Sequence, residues 1–250
     1  MPTPYDRFVA LHAPGDPLVI YNCWDPGSAV AIAKAGVKAI ATGSYGAAES
    51  LGYADGEKVP LDLVFDNAKR IMSVVDVPVS IDFEGGYSIG CEGISSNMAR
   101  LAQTGAVGCN FEDSIIGGVG TYPMGIQAER VAAAREGAGD SFFINARIDL
   151  YLCTASDTPP ADLLDETVDR AAAYISAGAD GIFVPGLRDV ALIAALVKRT
   201  AAPLNVSPSP GVTVASLADA GVARVSYGTG PWREAMTGTT ERARSAVNWR

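Results

Sequence analysis

The chain has 250 residues, 48% of them hydrophobic, which is enough to bury a large core in one domain or two small ones. The formal net charge of −9 argues against a general surface for nucleic acid or anionic membranes, although a local site for a small anion remains compatible with it. No secretory signal pattern, transmembrane-length apolar run or CxxC pair occurs, so we expect a cytoplasmic protein with free thiols.

Short apolar runs alternate with helix-like segments along the whole chain, after a short helix predicted at residues 4–12. The predicted strands are residues 18–22, 37–42, 77–83, 107–111, 141–146, 181–184, 204–206 and 225–227. The helices that follow them are predicted at residues 25–35, 61–74, 95–104, 127–136, 163–177, 190–200, 214–220 and 232–247. The strand runs do not alternate with polar residues, which is typical of parallel strands covered on both faces.

This alternation predicts the α/β class and one domain over residues 1–250, a (β/α)8 barrel of the TIM type preceded by a short helix. The alternative is an open doubly wound sheet, but no GxGxxG or Walker A turn follows the first predicted strand. In such barrels, catalytic groups lie at the carboxyl ends of the strands. The polar clusters of this chain also follow predicted strand ends.

Acidic residues follow two neighbouring predicted strands. Asp82 and Glu84 are two residues apart at the end of one strand, and Glu112 ends the next. Crowded carboxylates repel one another and usually gather round a cation, so these three are candidate ligands of Mg²⁺, or of Mn²⁺. The alternative is that they cap loops or pair with surface cations. Asp113 either orients Glu112 or caps a loop.

Arg147 ends the fifth predicted strand. An arginine inside a barrel mouth needs an anionic partner, which is either the acidic cluster or a substrate anion. The turn at residues 42–46, with Gly43, Ser44 and Tyr45, can form a nest of backbone amides for an anion, although Gly-Ser turns are common. Trp24 follows the first predicted strand and either forms a pocket floor or packs in the core.

Short hydrogen-bonding side chains follow the seventh predicted strand at two-residue spacing: Asn205, Ser207 and Ser209. They can bind a carboxylate without adding charge, or belong to an ordinary proline-rich loop. His12 is the only histidine and lies before the first strand, where we expect it at the surface. Catalysis therefore has to run without a histidine base.

In motif order, the chain resembles the isocitrate lyase/phosphoenolpyruvate mutase superfamily from about residue 8 to residue 230. The matching segments are DFEGGY at residues 82–87, ED at 112–113, ARID at 146–149, TGSYG at 42–46 and LGYAD at 51–55. The resemblance implies an α/β barrel that binds Mg²⁺, with Asp82 as direct ligand and Glu84 and Glu112 acting largely through water.

The same resemblance implies a site for a small 2-oxo carboxylate. The amides of Gly43 to Tyr45 would hold its oxalate-like end, and Arg147 would pair with the substrate. The chemistry shared by the superfamily passes through an enolate-like species. Members tend to form tetramers by exchanging C-terminal helices, so we expect a homo-oligomer, a tetramer or a dimer.

The segment at residues 115–122 departs from the superfamily pattern. Isocitrate-type lyases carry a KKCGH segment there, with a cysteine acid, and phosphonopyruvate-forming mutases carry Lys and Asn. Here the segment contains no Cys, Lys, Arg or His. We therefore expect no useful cleavage of isocitrate, and we interpret the glycines at 117, 118 and 120 as part of a mobile lid.

These observations predict a Mg²⁺-dependent lyase that cleaves a C–C bond of an oxaloacetate- or malate-like di-acid. Asp55 and Tyr45 are the candidate acid–base residues in that reaction, with Tyr122 as a further one. Arg147 is the candidate for pairing with the negative charge of the substrate. The first alternative is C–P chemistry, as in a phosphonopyruvate hydrolase or a phosphoenolpyruvate mutase. The second is a non-catalytic protein that binds an oxo-acid.

Overall fold

A computed structural model describes residues 2–249 and contains one sheet of eight parallel strands. The strands are β1 (Leu18–Ile20), β2 (Ile40–Ala41), β3 (Val79–Asp82), β4 (Gly108–Glu112), β5 (Phe143–Arg147), β6 (Gly181–Phe183), β7 (Leu204–Val206) and β8 (Arg224–Ser226). Their order in the sheet is β1-β8-β7-β6-β5-β4-β3-β2. Sequential strands are neighbours and β8 returns to β1, which is the arrangement of a (β/α)8 barrel.

The barrel closes between β1 and β2 just beyond the regular strands. Cys23 and Thr42 form a parallel bridge. The Cys23 amide donates to the Ala41 carbonyl at 2.9 Å, and the Gly43 amide donates to the Cys23 carbonyl at 2.9 Å. The predicted barrel fold is therefore confirmed, with its last seam at the carboxyl ends of these two strands.

Helices follow the strands and cover the outside of the barrel. They are α1 (Pro4–Ala10), α2 (Pro26–Ala33), α3 (Ser44–Ser50), α4 (Leu61–Met72), α5 (Cys91–Ala102), α6 (Met124–Ala138), α7 (Leu150–Cys153), α8 (Leu164–Ser176), α9 (Val190–Arg199), α10 (Val214–Asp219) and α11 (Gly230–Val247), with a 3-10 turn at Pro160–Leu163. The sequence analysis did not predict α3 and α7, two short helices that begin at or close after the carboxyl ends of β2 and β5. They matter because they contribute to the barrel mouth.

The opposite end of the barrel is closed by α1 and the residues after it. Phe8 is fully buried, and its ring meets Phe143 edge-on with the centroids 5.5 Å apart. His12 stacks on Phe143 at 4.3 Å and is only 7% exposed, so the expectation of a surface histidine is wrong. The aromatic stacking and the hydrogen bond from Nδ1 to the Phe8 carbonyl, at 2.8 Å, explain its burial. No helix among the described residues is long and apolar enough to cross a membrane.

Candidate active site

A cavity of about 380 Å³ opens at the carboxyl ends of the strands. Asp55, Asp82, Arg147 and Ser207, four residues that the sequence analysis selected, line it together. Gly43, Ser44 and Tyr45 also line it, as do Asn110, Arg188 and Ser226. The volume is in the range of pockets for small organic ligands, and the lining carries charges of both signs. The cavity is therefore the candidate active site.

Asp82 stands at the centre of the acidic side of this cavity because it ends β3. Its amide donates to the Thr42 hydroxyl at 2.8 Å, which fixes the strand end against the seam with β2. One carboxylate oxygen accepts from the Ser44 amide at 3.1 Å, and the other lies 3.4 Å from the Asn110 side-chain nitrogen. With these few partners, the carboxylate remains partly open to the cavity.

Glu84 is held just beyond the strand in a network of strained residues. Its Oε1 accepts from the amides of Gly56 and Glu57, at 2.9 and 2.8 Å, and its Oε2 accepts from the Tyr87 hydroxyl at 2.8 Å. The Tyr87 amide in turn donates to Glu57 Oε1 at 2.7 Å. Glu57, Glu84 and Tyr87 are the non-glycine residues with positive φ in the described chain, at 57°, 49° and 56°. Strain of this kind persists where surrounding contacts impose it, often at functional sites.

Glu112 and Arg147 end neighbouring strands in register and form an ion pair. Arg147 Nη1 lies 2.7 Å from Glu112 Oε2, and Arg147 Nε lies 2.6 Å from Asp149 Oδ1. The Ser114 hydroxyl donates to the other Glu112 oxygen. Burial raises the pKa of the Glu112 carboxyl, while the Arg147 charge lowers it. Of the two alternatives for Arg147, the structure therefore shows pairing with the acidic cluster, on a side chain that still borders the cavity.

Asp113 faces away from the cavity and supports the loop after β5. It is completely buried, and its two oxygens accept from the Asp149 amide at 2.8 Å and from the Tyr174 hydroxyl at 2.8 Å. Arg170 Nη1 lies 3.1 Å from the same carboxylate. Of the two predicted roles, these contacts match the capping of a loop and not the orientation of Glu112: Asp113 holds the segment that carries Asp149, and Asp149 in turn pairs with Arg147.

The acidic residues that the structure describes do not form a compact metal site. Within residues 2–249, no three His, Cys, Asp or Glu side chains converge closely enough to hold an ion between them. Glu84 and Glu112 are turned toward their amide, tyrosine and arginine partners. An arrangement in which Asp82 binds the ion directly and the two glutamates act through water does not need that convergence. It stays a prediction.

The electrostatics of the carboxyl groups fit a cation at this place. The pKa of Glu84 is raised to about 7, mainly by burial and in smaller part by the charges of Asp82 and Asp55. Burial also raises the pKa of Asp55, again with a contribution from Asp82, and the Asp82 charge acts on Glu112 in the same direction. These carboxyls thus lie close enough for their charges to interact, and carboxylate oxygens are donors that Mg²⁺ or Mn²⁺ takes, so their chemistry fits the predicted metal with Asp82 as the direct ligand.

The predicted amide nest forms the first turn of α3. Gly43 is the residue before the helix, and Ser44 and Tyr45 are its first two residues. In this structure the Gly43 amide bonds the Cys23 carbonyl and the Ser44 amide bonds Asp82, so both are already engaged. The Ser44 hydroxyl bonds Asp55, which lowers the pKa of that carboxyl against the effect of burial. The ring of Tyr45 lies under the Arg233 guanidinium at 5.1 Å.

Three of the predicted substrate-binding residues do not border the cavity. Asn205 is 1% exposed inside the barrel, one layer below Ser207, and its side-chain oxygen and nitrogen have no hydrogen-bond partner among the described residues. Ser209 is not among the residues that line the cavity. Trp24 is half-buried and packs edge-on against Trp232, with the ring centroids 5.2 Å apart, so it neither lines the cavity nor belongs to the buried core. Only Ser207 of the predicted rim remains against the cavity.

The segment at residues 115–122 forms a tight hairpin that lines a second cavity, together with Glu57 and Tyr87. Ser114 and Thr121 form an antiparallel bridge, and the Ile115 amide donates to the Gly120 carbonyl at 3.0 Å. Val119 at its tip is 92% exposed. The Tyr122 ring lies under the Arg130 guanidinium at 4.3 Å and lines this second cavity, which separates this tyrosine from Asp82 and Asp55. The movement expected of a lid stays a prediction.

Sequence reasoning missed Glu57, Tyr87 and Arg188. Glu57 follows an Asp-Gly pair, a turn signal that predicts unusual backbone. Tyr87 was part of the DFEGGY segment but was not given a role. Arg188 precedes the residue that caps α9, and such a position reads as ordinary surface until the barrel brings it to the cavity.

The fold and the site define a class of protein: a TIM-type barrel whose mouth holds acidic residues, the ion pair between Arg147 and Glu112, and a cavity for a small molecule. The family model described as phosphoenolpyruvate phosphomutase matches residues 8–247. The chain therefore belongs to this family, within the isocitrate lyase/phosphoenolpyruvate mutase superfamily.

Three relatives illustrate the match. A proposed phosphonomutase from Burkholderia cenocepacia J2315 has a crystal structure that superimposes with a TM-score of 0.94 at 40% identity, covering 97% of this chain and 98% of that one. An uncharacterised protein of Mycobacterium tuberculosis H37Rv is 34% identical over 239 residues, 95% of this chain and 88% of the relative. The 2-methylisocitrate lyase of Salmonella typhimurium is 27% identical over 195 residues, 76% of this chain and 65% of that enzyme.

Proposed function

We propose that this protein is a Mg²⁺-dependent lyase that cleaves a C–C bond of a small 2-oxo or 2-hydroxy di-acid, oxaloacetate- or malate-like, through an enolate-type intermediate. The observation that carries the proposal is the shared cavity of Asp82, Asp55 and Arg147 at the barrel mouth. The similarity to a 2-methylisocitrate lyase, whose name describes C–C cleavage, supports the same class of reaction.

Each residue has a role that follows from its contacts. Asp82 would bind Mg²⁺ directly, and Glu84 and Glu112 would act on it largely through water. Mn²⁺ would suit the same oxygens. When bound, the metal supplies stabilisation of negative charge on the 2-oxo oxygen of the substrate. Arg147 would add positive charge near that end, although Glu112 and Asp149 already neutralise much of it.

Asp55 is the best candidate for moving a proton. Burial raises the pKa of its carboxyl, which brings it closer to the neutral range in which a general acid or base works well. It lines the cavity within reach of the Ser44 hydroxyl. Tyr45 borders the same cavity, and we retain it as the second candidate.

Two other functions compete with this proposal. Cleavage or rearrangement of a C–P bond is favoured by the similarity to the proposed phosphonomutase. Binding of an oxo-acid without turnover is favoured by the hairpin at residues 115–122, which offers no cysteine, lysine, arginine or histidine to the reaction.

A screen by NMR distinguishes the three. The purified protein would be incubated with Mg²⁺ and oxaloacetate, malate, 2-oxoglutarate, isocitrate, pyruvate or phosphonopyruvate in turn. We expect C–C cleavage of a four- or five-carbon di-acid and no useful cleavage of isocitrate. Phosphate release from phosphonopyruvate with every di-acid intact would instead support C–P chemistry. Binding of a di-acid without any product would support the non-catalytic alternative.

A further inference from the structure

The cavity contains two arginines, and only one of them is paired. Arg147 is engaged on two sides by Glu112 and Asp149. Arg188 lines the same cavity, and none of the ion pairs or hydrogen bonds among residues 2–249 involves it. The adjacent carboxylate, Asp189, accepts from the amides of Ala191 and Leu192 at 2.8 and 3.1 Å and thereby caps α9. Arg188 thus brings an unneutralised charge to the mouth.

The backbone on either side of Arg188 is fixed. Leu187 is 1% exposed in the core, and Asp189 is held by its cap of α9. Gly186 has φ of 85°, and a Cβ there would lie 2.8 Å from the Leu152 side chain, so glycine allows this loop to pack against α7. The arginine therefore projects from a short anchored segment, and little backbone entropy is lost when it binds an anion.

The residues around Arg188 suit the end of a ligand that lies away from Asp82 and the predicted metal. Phe183, Leu187 and Pro208 present apolar surface, and Ser207 and Thr229 present hydroxyls. Of the acidic residues of this cavity, Asp82 ends β3 and Asp55 lies between β2 and β3, whereas Arg188 follows β6. A ligand whose oxo-carboxylate end lies at Asp82 thus has its other end among a cation and neutral donors.

We infer that Arg188, with the Ser207 hydroxyl, binds the distal carboxylate of the substrate and sets the preference for a di-acid. The inference rests on the proposed function, and it assigns to Arg188 the second carboxylate that the sequence had suggested for Asn205, Ser207 and Ser209. A guanidinium and a hydroxyl together provide donors for both oxygens of a carboxylate. An uncharged tail would leave this arginine unpaired.

The test measures binding and does not require turnover. With Mg²⁺ present, wild type and Arg188→Gln would be titrated calorimetrically with 2-oxoglutarate, which has a distal carboxylate, and with pyruvate and oxalate, which lack one. We expect Arg188→Gln to lose about ten-fold or more in affinity for 2-oxoglutarate, as for a lost charged hydrogen bond, and to bind oxalate and pyruvate as wild type does.

The matched control is Arg199→Gln. Arg199 ends the helix that follows Arg188 and pairs with the exposed Asp165 away from the cavity. Its replacement should therefore leave the affinities for 2-oxoglutarate, pyruvate and oxalate unchanged. Equal losses for oxalate and 2-oxoglutarate would overturn the inference, because Arg188 would then act at the oxo-acid end. The inference would also be overturned if Arg188→Gln bound 2-oxoglutarate with the affinity of wild type. The same holds if wild type bound pyruvate as tightly as 2-oxoglutarate. If the selective loss appears but no acid is cleaved, the binding role stands and the lyase proposal fails.

Discussion

The unusual backbone at the acidic site is concentrated in three residues that hold one another. Glu57, Glu84 and Tyr87 all have positive φ, and each forms a hydrogen bond with another member. Two glycines make this possible: a Cβ at Gly86 would lie 2.9 Å from the Phe111 ring, and one at Gly85 would lie 3.1 Å from Ile116. The DFEGGY segment is therefore a device that fixes the Glu84 carboxylate.

Removing the Tyr87 hydroxyl should weaken metal binding while leaving the barrel folded. The hydroxyl lowers the pKa of Glu84, so Tyr87→Phe should leave more of this carboxyl protonated at neutral pH. Partners of this kind typically contribute about ten- to a hundred-fold in metal affinity. We expect about ten-fold weaker Mg²⁺ binding by calorimetry in the presence of oxalate. Tyr53→Phe, at a partly exposed tyrosine, is the control. Identical affinities for both variants would show that Glu84 has no part in the metal site.

The sequence predicted which polar residues lie near the carboxyl ends of the strands, but not how deep in the barrel each side chain lies. Asp82 and Arg147 reach the cavity as the strand-end rule implies, whereas Asp55 lies beyond α3 and was indicated only by the resemblance of the LGYAD segment. Asn205 and Ser207 share a strand face, as their spacing implied, yet two residues along a strand correspond to about 7 Å. One side chain therefore lies inside the barrel and the other at its mouth. No local sequence pattern marks which residue of a strand is the last one inside the barrel and which is the first to border the cavity.

At the scale of elements, the strands and the long helices followed from composition and periodicity, whereas α3 and α7 did not. α3 begins inside the TGSYG segment, which the sequence analysis interpreted as a turn, and α7 has only four residues, too few to show a helical repeat. Each begins where a strand ends and is stabilised by tertiary contacts. The loop carrying Arg188 was missed for a related reason, since it is defined by packing of Gly186 against α7.

The closure of the barrel bottom by α1 and His12 has a consequence for acid stability. Burial, with a contribution from the Arg224 charge, lowers the pKa of His12 to about 3. The unfolded chain takes up a proton below a pH of about 6.5, and the folded chain does not, so stability is lost as the pH falls through this range. The carboxyls with raised pKa, such as Glu84, act with the opposite sign, so wild type must be compared with a variant.

His12→Gln removes the only histidine and therefore isolates this effect. Relative to the variant, wild type should lose about 2 kcal/mol of unfolding free energy between pH 7 and pH 5, at about 1.4 kcal/mol per pH unit. Urea unfolding of both proteins at the two pH values measures the difference. If the two proteins lost the same free energy over this range, His12 would have to accept a proton within the folded structure.

At the scale of the whole molecule, α11 suggests how copies of the chain associate. It has 18 residues, and from Arg233 onward most of its side chains are exposed, including Met236 and Val247. A long helix with so little burial on its own barrel is typically stabilised by a neighbour. We therefore expect a homo-oligomer, a dimer or a tetramer, by light scattering. A chain truncated after Gly238 should run as a smaller species, and a full-length monomer at micromolar concentration would contradict the prediction.

The central claim is that Asp82 supports Mg²⁺-dependent C–C cleavage of a di-acid. It is tested most directly by following oxaloacetate and phosphonopyruvate together in one sample by ¹³C and ³¹P NMR, with wild type, with Asp82→Asn and with wild type plus EDTA. Asp82→Asn keeps the shape of the side chain and serves as the blank for cleavage by free Mg²⁺. We predict that wild type with Mg²⁺ decarboxylates oxaloacetate at a rate well above this blank, while phosphonopyruvate persists. Phosphate release with oxaloacetate consumed only at the rate of the blank would contradict the account.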